Sequence, residues 1–255
     1  MMSNALPKLT VVITAHNEEE RLPSCLAHVA FADEIIVLCD KCTDKTEEIA
    51  SAAGARTLVG SWVMEGERRN YALSQVSGDW VLEVDADEHV SEELAREIRD
   101  VIGVSAFGYH DLPVDNYVGS RLVRYGWGSS FGKSAYGGLF RAGGKHWGPQ
   151  RVHPAVTFKG EKGPRLCHPV RHYVDRNISD MIKRLDSYST ARAADLRDSG
   201  KIGSFGNNIR RLFSRFIRCY VGRKGYKEGG IGFLIALFAG LFPVISHIKA
   251  KYEEN

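Results

Sequence analysis

The segment Asp85-Ala86-Asp87-Glu88 carries the clearest chemistry in this chain. It follows Trp80-Val81-Leu82-Glu83-Val84, a β-type run. Two carboxylates separated by one small residue point apart on an extended chain. At a strand end the chain turns, so one carboxylate can bind a cation while the other acts through water or a ribose hydroxyl. Mg²⁺ and Mn²⁺ take such oxygen ligands and share them with substrate phosphates. An acidic triplet on a loop is otherwise an ordinary solvated turn, so its position in the fold must carry the argument.

Other groups sit at comparable places. Ala15-His16-Asn17-Glu18 follows the first apolar run, and Asn17 there can also cap a helix. Nothing glycine-rich stands at this point, so neither a phosphate-binding P-loop nor a dinucleotide fingerprint can be read. That speaks against an ATPase or a dehydrogenase. Asp40 follows the second run and can accept hydrogen bonds from a base or a ribose. Cys39-x-x-Cys42 lacks the second cysteine pair a zinc site needs, so unreactive thiols are expected. Arg68, Arg69 and Asn70 open a helix after a glycine-containing loop, and a guanidinium suits phosphate. The alternative for them is a solvated helix face. His153, His168 and His172 follow later, and a neutral imidazole can complete a metal site or act as a base.

The elements that must position these groups alternate. Leu9 to Thr14, Glu34 to Leu38, Arg56 to Val59 and Trp80 to Val84 read as strands. Asn17 to Val29, Thr43 to Ala53, Glu67 to Val76 and Glu92 to Val101 read as helices, the last capped by Ser91 and the second stopped by Gly54. Such alternation predicts an α/β fold with a mainly parallel, Rossmann-like sheet flanked by helices. Ligands then bind beyond the carboxyl ends of the strands, where the polar clusters lie. Residues 105 to 175 change to short strands and long loops rich in Gly, Tyr, Trp and Arg, and Asn177 to Leu196 reads as a helix.

Composition narrows the class less than the tail does. The 255 residues carry a formal net charge of +3 and five cysteines, an odd number that argues against a disulfide framework and for reduced thiols in the cytoplasm. The first residues do not read as a signal peptide. From Ile209 to Val221, a helix places Ile209, Leu212, Phe213, Phe216, Ile217, Tyr220 and Val221 on one face, with Arg210, Arg211, Arg215 and Arg218 off it. Gly229 to Ile248 then runs without a charged residue, long enough to be a membrane-span candidate. Its glycines, Pro243 and His247 favour a re-entrant or surface-lying segment instead. The expected division is a catalytic domain over 1–200, with a donor half to about 104 and an acceptor half over 105–200. A basic, helical, membrane-associating tail follows over 201–255. Basic residues beside apolar tail segments do not make a nucleic-acid groove, and no nucleic-acid partner is expected.

Taken in order, these motifs resemble the family 2 glycosyltransferases of the GT-A fold, closest to the lipopolysaccharide-core glucosyltransferase-like branch. The resemblance rests on Val11 through Glu19, Ala32 through Val37, Thr43 through Thr46, Arg69 through Leu73, and Gly78 through Glu88. Looser matches follow at Asn116 through Gly119, Gly126-Trp127, Leu139 through Arg141 and Val152-His153. It implies a nucleotide-diphosphate sugar donor, held by Thr14, Ala15, His16, Asn17, Glu18, Asp40, Arg69, Asn70, Asp85, Ala86 and Asp87. It also implies Mg²⁺ or Mn²⁺ on the diphosphate, with Asp87 and His153 as ligands and His172 behind His153, and inversion at the anomeric carbon. The acceptor implied is lipid-linked or of lipopolysaccharide type, at the cytoplasmic face of the inner membrane. The sequence departs from the family at Asp40-Lys41-Cys42-Thr43-Asp44, which is one residue short, and at Ser134 and Pro154, where acidic residues are usual. The base that takes the acceptor proton therefore falls to Glu88 or Asp115, with Asp111 and His153 as further candidates. A nucleotidyltransferase is the first alternative, though it would carry a glycine-rich loop after the first strand. A nucleotide-sugar-binding membrane protein that has lost its base is the second.

Overall fold

The structure is a computed structural model that describes residues 6–128, 132–149 and 154–253. The strands are β1 (Leu9–Ala15), β2 (Glu34–Asp40), β3 (Arg56–Gly60), β4 (Trp80–Asp85), β5 (Glu88–His89), β6 (Tyr109–Val118), β7 (Arg121–Val123), β8 (Ala135–Arg141), β9 (Lys145–Trp147), β10 (Val156–Phe158) and β11 (Val170–Asp175). The helices are α1 (Leu22–Val29), α2 (Thr46–Ala52), α3 (Glu65–Ser74), α4 (Glu92–Val104), α5 (Ile178–Asp198), α6 (Phe205–Ile217) and α7 (Gly229–Tyr252). The chain forms two compact units, the first from residues 6–114, 135–149 and 154–172, the second from the remaining described residues.

In the first unit, β1 is buried at every position and pairs in parallel with β2 and β4, while β3 adds in parallel to β2. A fully buried central strand needs apolar, β-branched residues on both faces, which Leu9-Thr10-Val11-Val12-Ile13-Thr14-Ala15 supplies. The main sheet runs β3-β2-β1-β4-β8-β6-β11-β5, with β7 on β6. Beyond β4 the pairing turns antiparallel, at β4–β8, β6–β8 and β11–β5, so the sheet is mixed. One layer of packing joins Leu22, Leu26, Leu94 and Ile98 of α1 and α4 to Val11, Ile13 and Leu82. The other joins Ala72 and Leu73 of α3 to Val12, Ile36, Val81 and Phe140.

Helix starts differ from expectation for a physical reason. Asn17 holds a left-handed φ of 55°, and the carbonyl of Glu18 accepts from the N–H groups of Arg21 and Leu22. The expected helix from Asn17 therefore begins at Leu22, which leaves residues 16–21 as a loop over the strand ends. Thr43 and Asp44 likewise stay outside α2, because they bind across to that loop. Ser91 does cap α4, its hydroxyl accepting from Leu94 N at 3.2 Å.

The second unit is mainly helical. Its core gathers Met181 and Leu185 of α5, Cys219, and Ile235, Ala236, Phe238, Ala239 and Phe242 of α7, with Val118, Val123, Trp127 and Val174. Within this unit α7 packs on both α5 and α6. A Cβ on Gly240 would stand 2.7 Å from the Leu212 carbonyl oxygen, which shows how closely α7 approaches α6. The amphipathic helix begins earlier than expected, at Phe205 after a Ser204 cap, and widens to a π turn over Arg218–Gly222.

Candidate active site

Parallel register brings the polar segments together in the first unit. Thr14 stands opposite Leu38 on β2 and Asp85 on β4, and Ala15 opposite Cys39. Thr14 and Ala15 are buried in the sheet end. The next residues, His16 to Glu18, and those after β2 and β4 share one edge.

Side chains lock the first two of these loops to each other. His16 Nδ1 lies 2.6 Å from the Asp40 carbonyl oxygen. Asn17 Oδ1 accepts from Thr43 N at 2.8 Å, which accounts for its left-handed backbone: the amide side chain reaches across to the second loop. Glu18 N donates to Thr46 Oγ1 at 2.8 Å, and Thr46 Oγ1 meets Asp44 Oδ1 at 2.6 Å. Asp40 is buried, with Oδ1 accepting from Trp62 N and Oδ2 from Arg68 Nη1, both at 3.0 Å. A carboxylate accepts about four hydrogen bonds, so two sites on Asp40 remain.

The Asp85–Glu88 turn is held from beneath. Glu83, buried within β4, meets Lys145 Nζ at 2.5 Å and Arg69 Nη1 at 2.9 Å. Arg69 also binds Asp85 Oδ1 at 2.9 Å and Glu65 Oε1 at 3.0 Å, and its guanidinium stacks 4.8 Å over the Trp147 ring. Burial works against its charge, but Asp85, Glu83 and Glu65 outweigh it and hold the guanidinium above its ordinary range. Arg69, expected to bind donor phosphate, is therefore buried and committed to three carboxylates: it positions Asp85. Asn70 is also diverted, its amide donating to Trp147 O at 2.8 Å and accepting from Trp147 N at 2.9 Å, which fastens α3 to β9.

Glu88, expected as a base, is fully buried. Its Oε2 accepts from Tyr136 Oη at 2.7 Å and from Asp85 N at 3.1 Å. Enclosed in this way, the carboxylate fixes the turn. Burial, followed by the charge of Glu88, pushes the Tyr136 phenol well up, so it stays a donor. Asp115, the other carboxylate expected in proton transfer, lies half-buried on β6 in the second unit. Asp111 is paired with Lys162 at 2.6 Å.

Asp85 and Asp87 keep exposed side-chain surface of 31% and 19%, so both remain open to a ligand. Ala86 between them is buried. Around Asp87 Oδ2 stand Arg21 Nη1 at 3.4 Å and His172 Nε2 at 3.5 Å. Burial pushes Asp87 up, but His172 outweighs it, with Arg21 adding to the effect, so the carboxyl titrates below its ordinary range. Glu18 moves the other way. Burial raises it, Arg21 lowers it, and the charges of Asp87, Asp85 and Asp44 raise it further. The edge thus gathers Glu18, Asp85 and Asp87 close enough to act on one another.

His153 lies outside the described residues. His172, held behind it from sequence, is the histidine beside Asp87, because β11 pairs with β5 in the register His172↔Glu88. Among the described residues, no three His, Cys, Asp or Glu side chains form a ready-made metal cage. Cys39 is buried and its thiol is pushed up to about 12, so it stays protonated at neutral pH, as the unreactive reading of the Cys39–Cys42 pair expects. Sequence reasoning passed over Glu83, Lys145, Tyr136 and Arg21. Glu83 carried a signal: an acid inside an otherwise apolar strand must find a buried cation.

Residues 10–125 match the family model described as Glycosyl transferase family 2. The chain is 27% identical over 245 residues to an uncharacterised glycosyltransferase of Rickettsia typhi, covering 90% of this chain and 82% of that protein. It is 24% identical over 259 residues to the lipopolysaccharide core biosynthesis glycosyltransferase LpsC of Rhizobium meliloti, covering 96% and 93%. A crystal structure of glucosyl-3-phosphoglycerate synthase from Mycobacterium tuberculosis, with Mn²⁺, uridine diphosphate and glucosyl-3-phosphoglycerate, aligns at 26% identity with a TM-score of 0.37. That alignment covers 44% of each chain, so less than half of the synthase is spanned. Residues 10–125 thus match glycosyltransferase family 2, the relatives that cover most of the chain are named glycosyltransferases, and the fold is of GT-A type, a mixed sheet flanked by helices.

Proposed function

We propose that this enzyme moves a sugar from a nucleotide-diphosphate sugar to a lipid-linked or lipopolysaccharide-type glycan, in one metal-dependent displacement that inverts the anomeric carbon. The observation that carries this reading is the acidic edge where Glu18, Asp85 and Asp87 act on one another, with Arg21 and His172 against Asp87. Its donor set fits a hard divalent cation: carboxylate oxygens of Asp85 and Asp87 that remain accessible at one strand edge. Asp87 would hold Mg²⁺ or Mn²⁺, with Asp85 and His172 beside it. Such a cation supplies positive charge against the departing diphosphate.

The chain's own residues do the rest. Asp40, fixed by Trp62 N and Arg68, keeps acceptor capacity for the ribose or base of the nucleotide. His16, Asn17 and Glu18 shape the loop beside it. The Arg69–Glu83–Lys145 network and Glu88–Tyr136 hold the turn against rearrangement when the donor binds. Asp115 and His153 are the candidates kept for proton removal from the acceptor, because Glu88 is buried and Asp111 is paired. Asp115→Asn should lower kcat while donor affinity stays as it was.

The lipopolysaccharide-type acceptor is supported by the name of the LpsC relative and by the tail. Phe213, Ile217 and Val221 are exposed, with arginines on the same helix. We assign the enzyme to the cytoplasmic face of the inner membrane on that basis. A thermal-shift panel of UDP-, GDP-, ADP- and dTDP-sugars, with and without Mn²⁺, tests the donor class. One nucleotide should raise the melting temperature, and only with the cation. No shift with any of them would remove the proposal. Release of nucleoside diphosphate, rather than pyrophosphate, separates it from a nucleotidyltransferase.

A further inference from the structure

The second unit holds a cavity of about 240 Å³ between α5, α6, α7 and the link from α5 to α6. Four of its lining side chains are cationic, Arg192, Lys201, Arg211 and Arg215, and none is acidic. Ser204 and Asn207 line it too. Arg192 reaches Asp195 at 3.8 Å. Among the described residues, Lys201, Arg211 and Arg215 have no acidic partner. Arg215 Nη1 is buried and meets no hydrogen-bond acceptor. A buried guanidinium nitrogen without an acceptor is unfavourable by itself, and neighbouring like charges add to it. Burial pushes Arg215 down, and Arg211 and Arg192 push it further.

A bound anion would relieve all of these at once. Arginine forks match tetrahedral oxyanions, and the hydroxyl and amide can donate to further oxygens. The cavity's size, well beyond the ~30 Å³ share of one water, suits a phosphate with its adjoining atoms. Its position on α6 narrows the source. At 3.6 residues per turn, Arg211 and Arg215 share one face of α6, while Phe213 and Ile217 fall on another beside Arg210; Arg218 stands in the following π turn, and neither Arg210 nor Arg218 lines the cavity. Phe213 and Ile217 are exposed. An apolar strip, a basic strip and a cationic cavity therefore follow one another around the helix.

We propose that this cavity binds the phosphate group of an anionic lipid, while the exposed strip of α6 rests on the acyl boundary. The same oxyanion chemistry would accept a free phosphate, so both sources are tested. The readouts do not involve sugar transfer, so they stand or fall separately from the donor assignment.

The full chain is melted in chloride and in inorganic phosphate at equal ionic strength. It is also titrated with vesicles of phosphatidylcholine, with and without phosphatidylglycerol. Two double variants are compared, R211Q/R215Q at the cavity and R210Q/R218Q on the exposed strip. Phosphate should raise the melting temperature of the native protein and of R210Q/R218Q, but not of R211Q/R215Q. In chloride, R211Q/R215Q should melt no lower than the native protein, because it removes unbalanced charges; this separates a ligand site from arginines that merely hold the fold. If R211Q/R215Q does not fold, the phosphate effect on R215K and on the native protein takes its place, and R215K should keep it in part.

General surface attraction would weaken vesicle binding equally in both pairs, by about fivefold per arginine. A site predicts a loss in R211Q/R215Q at least ~10-fold greater than in R210Q/R218Q. Phosphate stabilisation together with this difference assigns a lipid. Phosphate stabilisation without retention on vesicles assigns a soluble phosphate compound in the same cavity. Equal losses in the two pairs, or no phosphate effect on the native protein, would overturn the proposal.

Discussion

At the scale of single residues, the acidic edge rests on cations buried beneath it. Arg69 is buried among Glu65, Glu83 and Asp85, and Lys145 shares Glu83. Removing one partner from such a network leaves charges stranded in low dielectric, so Arg69→Met should lower stability by about 3–5 kcal/mol. Urea unfolding checks this, and a loss below about 1 kcal/mol would show that Arg69 is not the hub. The paired substitution R69M/E83Q should cost more than R69M alone, because it also takes the Glu83 carboxylate from buried Lys145. The Asp-x-Asp turn and the Asn17-Glu18 loop were legible from residue type and strand position. The roles of Arg69 and Asn70 were not. A helical arginine looks the same in sequence whether it faces phosphate or a buried glutamate on the next strand, and only the packing decides.

At the scale of elements, loops are fastened by polar side chains rather than by apolar contacts. Glu97 of α4 accepts from Cys167 N at 2.6 Å and from His168 N at 2.9 Å, and meets His168 Nδ1 at 2.8 Å. This clamp holds the segment that leads into β11, and so the approach of His172. Burial pulls the Glu97 carboxyl up, but these hydrogen bonds outweigh it and hold it below the ordinary value of 4.5. A carboxyl lowered in the fold contributes stability that is full above its unfolded value and is lost as pH falls through the folded one. The native protein should therefore melt above Glu97→Gln at neutral pH, and the gap should close as pH falls below 4.5. A gap that is constant with pH would contradict the clamp. Strand identities were readable from β-branched runs, but the starts of α1 and α2 were not. Asn17, Thr43 and Asp44 carry helix-capping chemistry, and here it is used between loops.

At the scale of the molecule, the long apolar stretch of the tail becomes the core of the second unit. α7 is long and apolar enough to cross a membrane by length and composition. Yet Ile235, Ala236, Phe238, Ala239 and Phe242 are covered by protein. Sequence alone could not separate these readings, since lipid and a helical core ask for the same residues. If α7 is a core helix and α6 is the surface in contact with lipid, alkaline carbonate should release the enzyme from membranes. Retention until detergent is added would mean that α7 spans. Gly240→Leu should unfold the second unit or force α6 and α7 apart, at a cost of about 1–3 kcal/mol, read by denaturant titration.

The central claim is that Asp87 holds the donor through a divalent cation. Calorimetric titration of the cognate nucleotide with and without Mn²⁺, in the native enzyme and in Asp87→Ala, tests it most directly. The native enzyme should bind tightly only with Mn²⁺. Asp87→Ala should lose at least ~100-fold in affinity, the upper end for groups that merely orient a metal ligand. Its affinity should become the same with and without the cation. Equal, Mn²⁺-dependent binding in the two proteins would contradict the assignment.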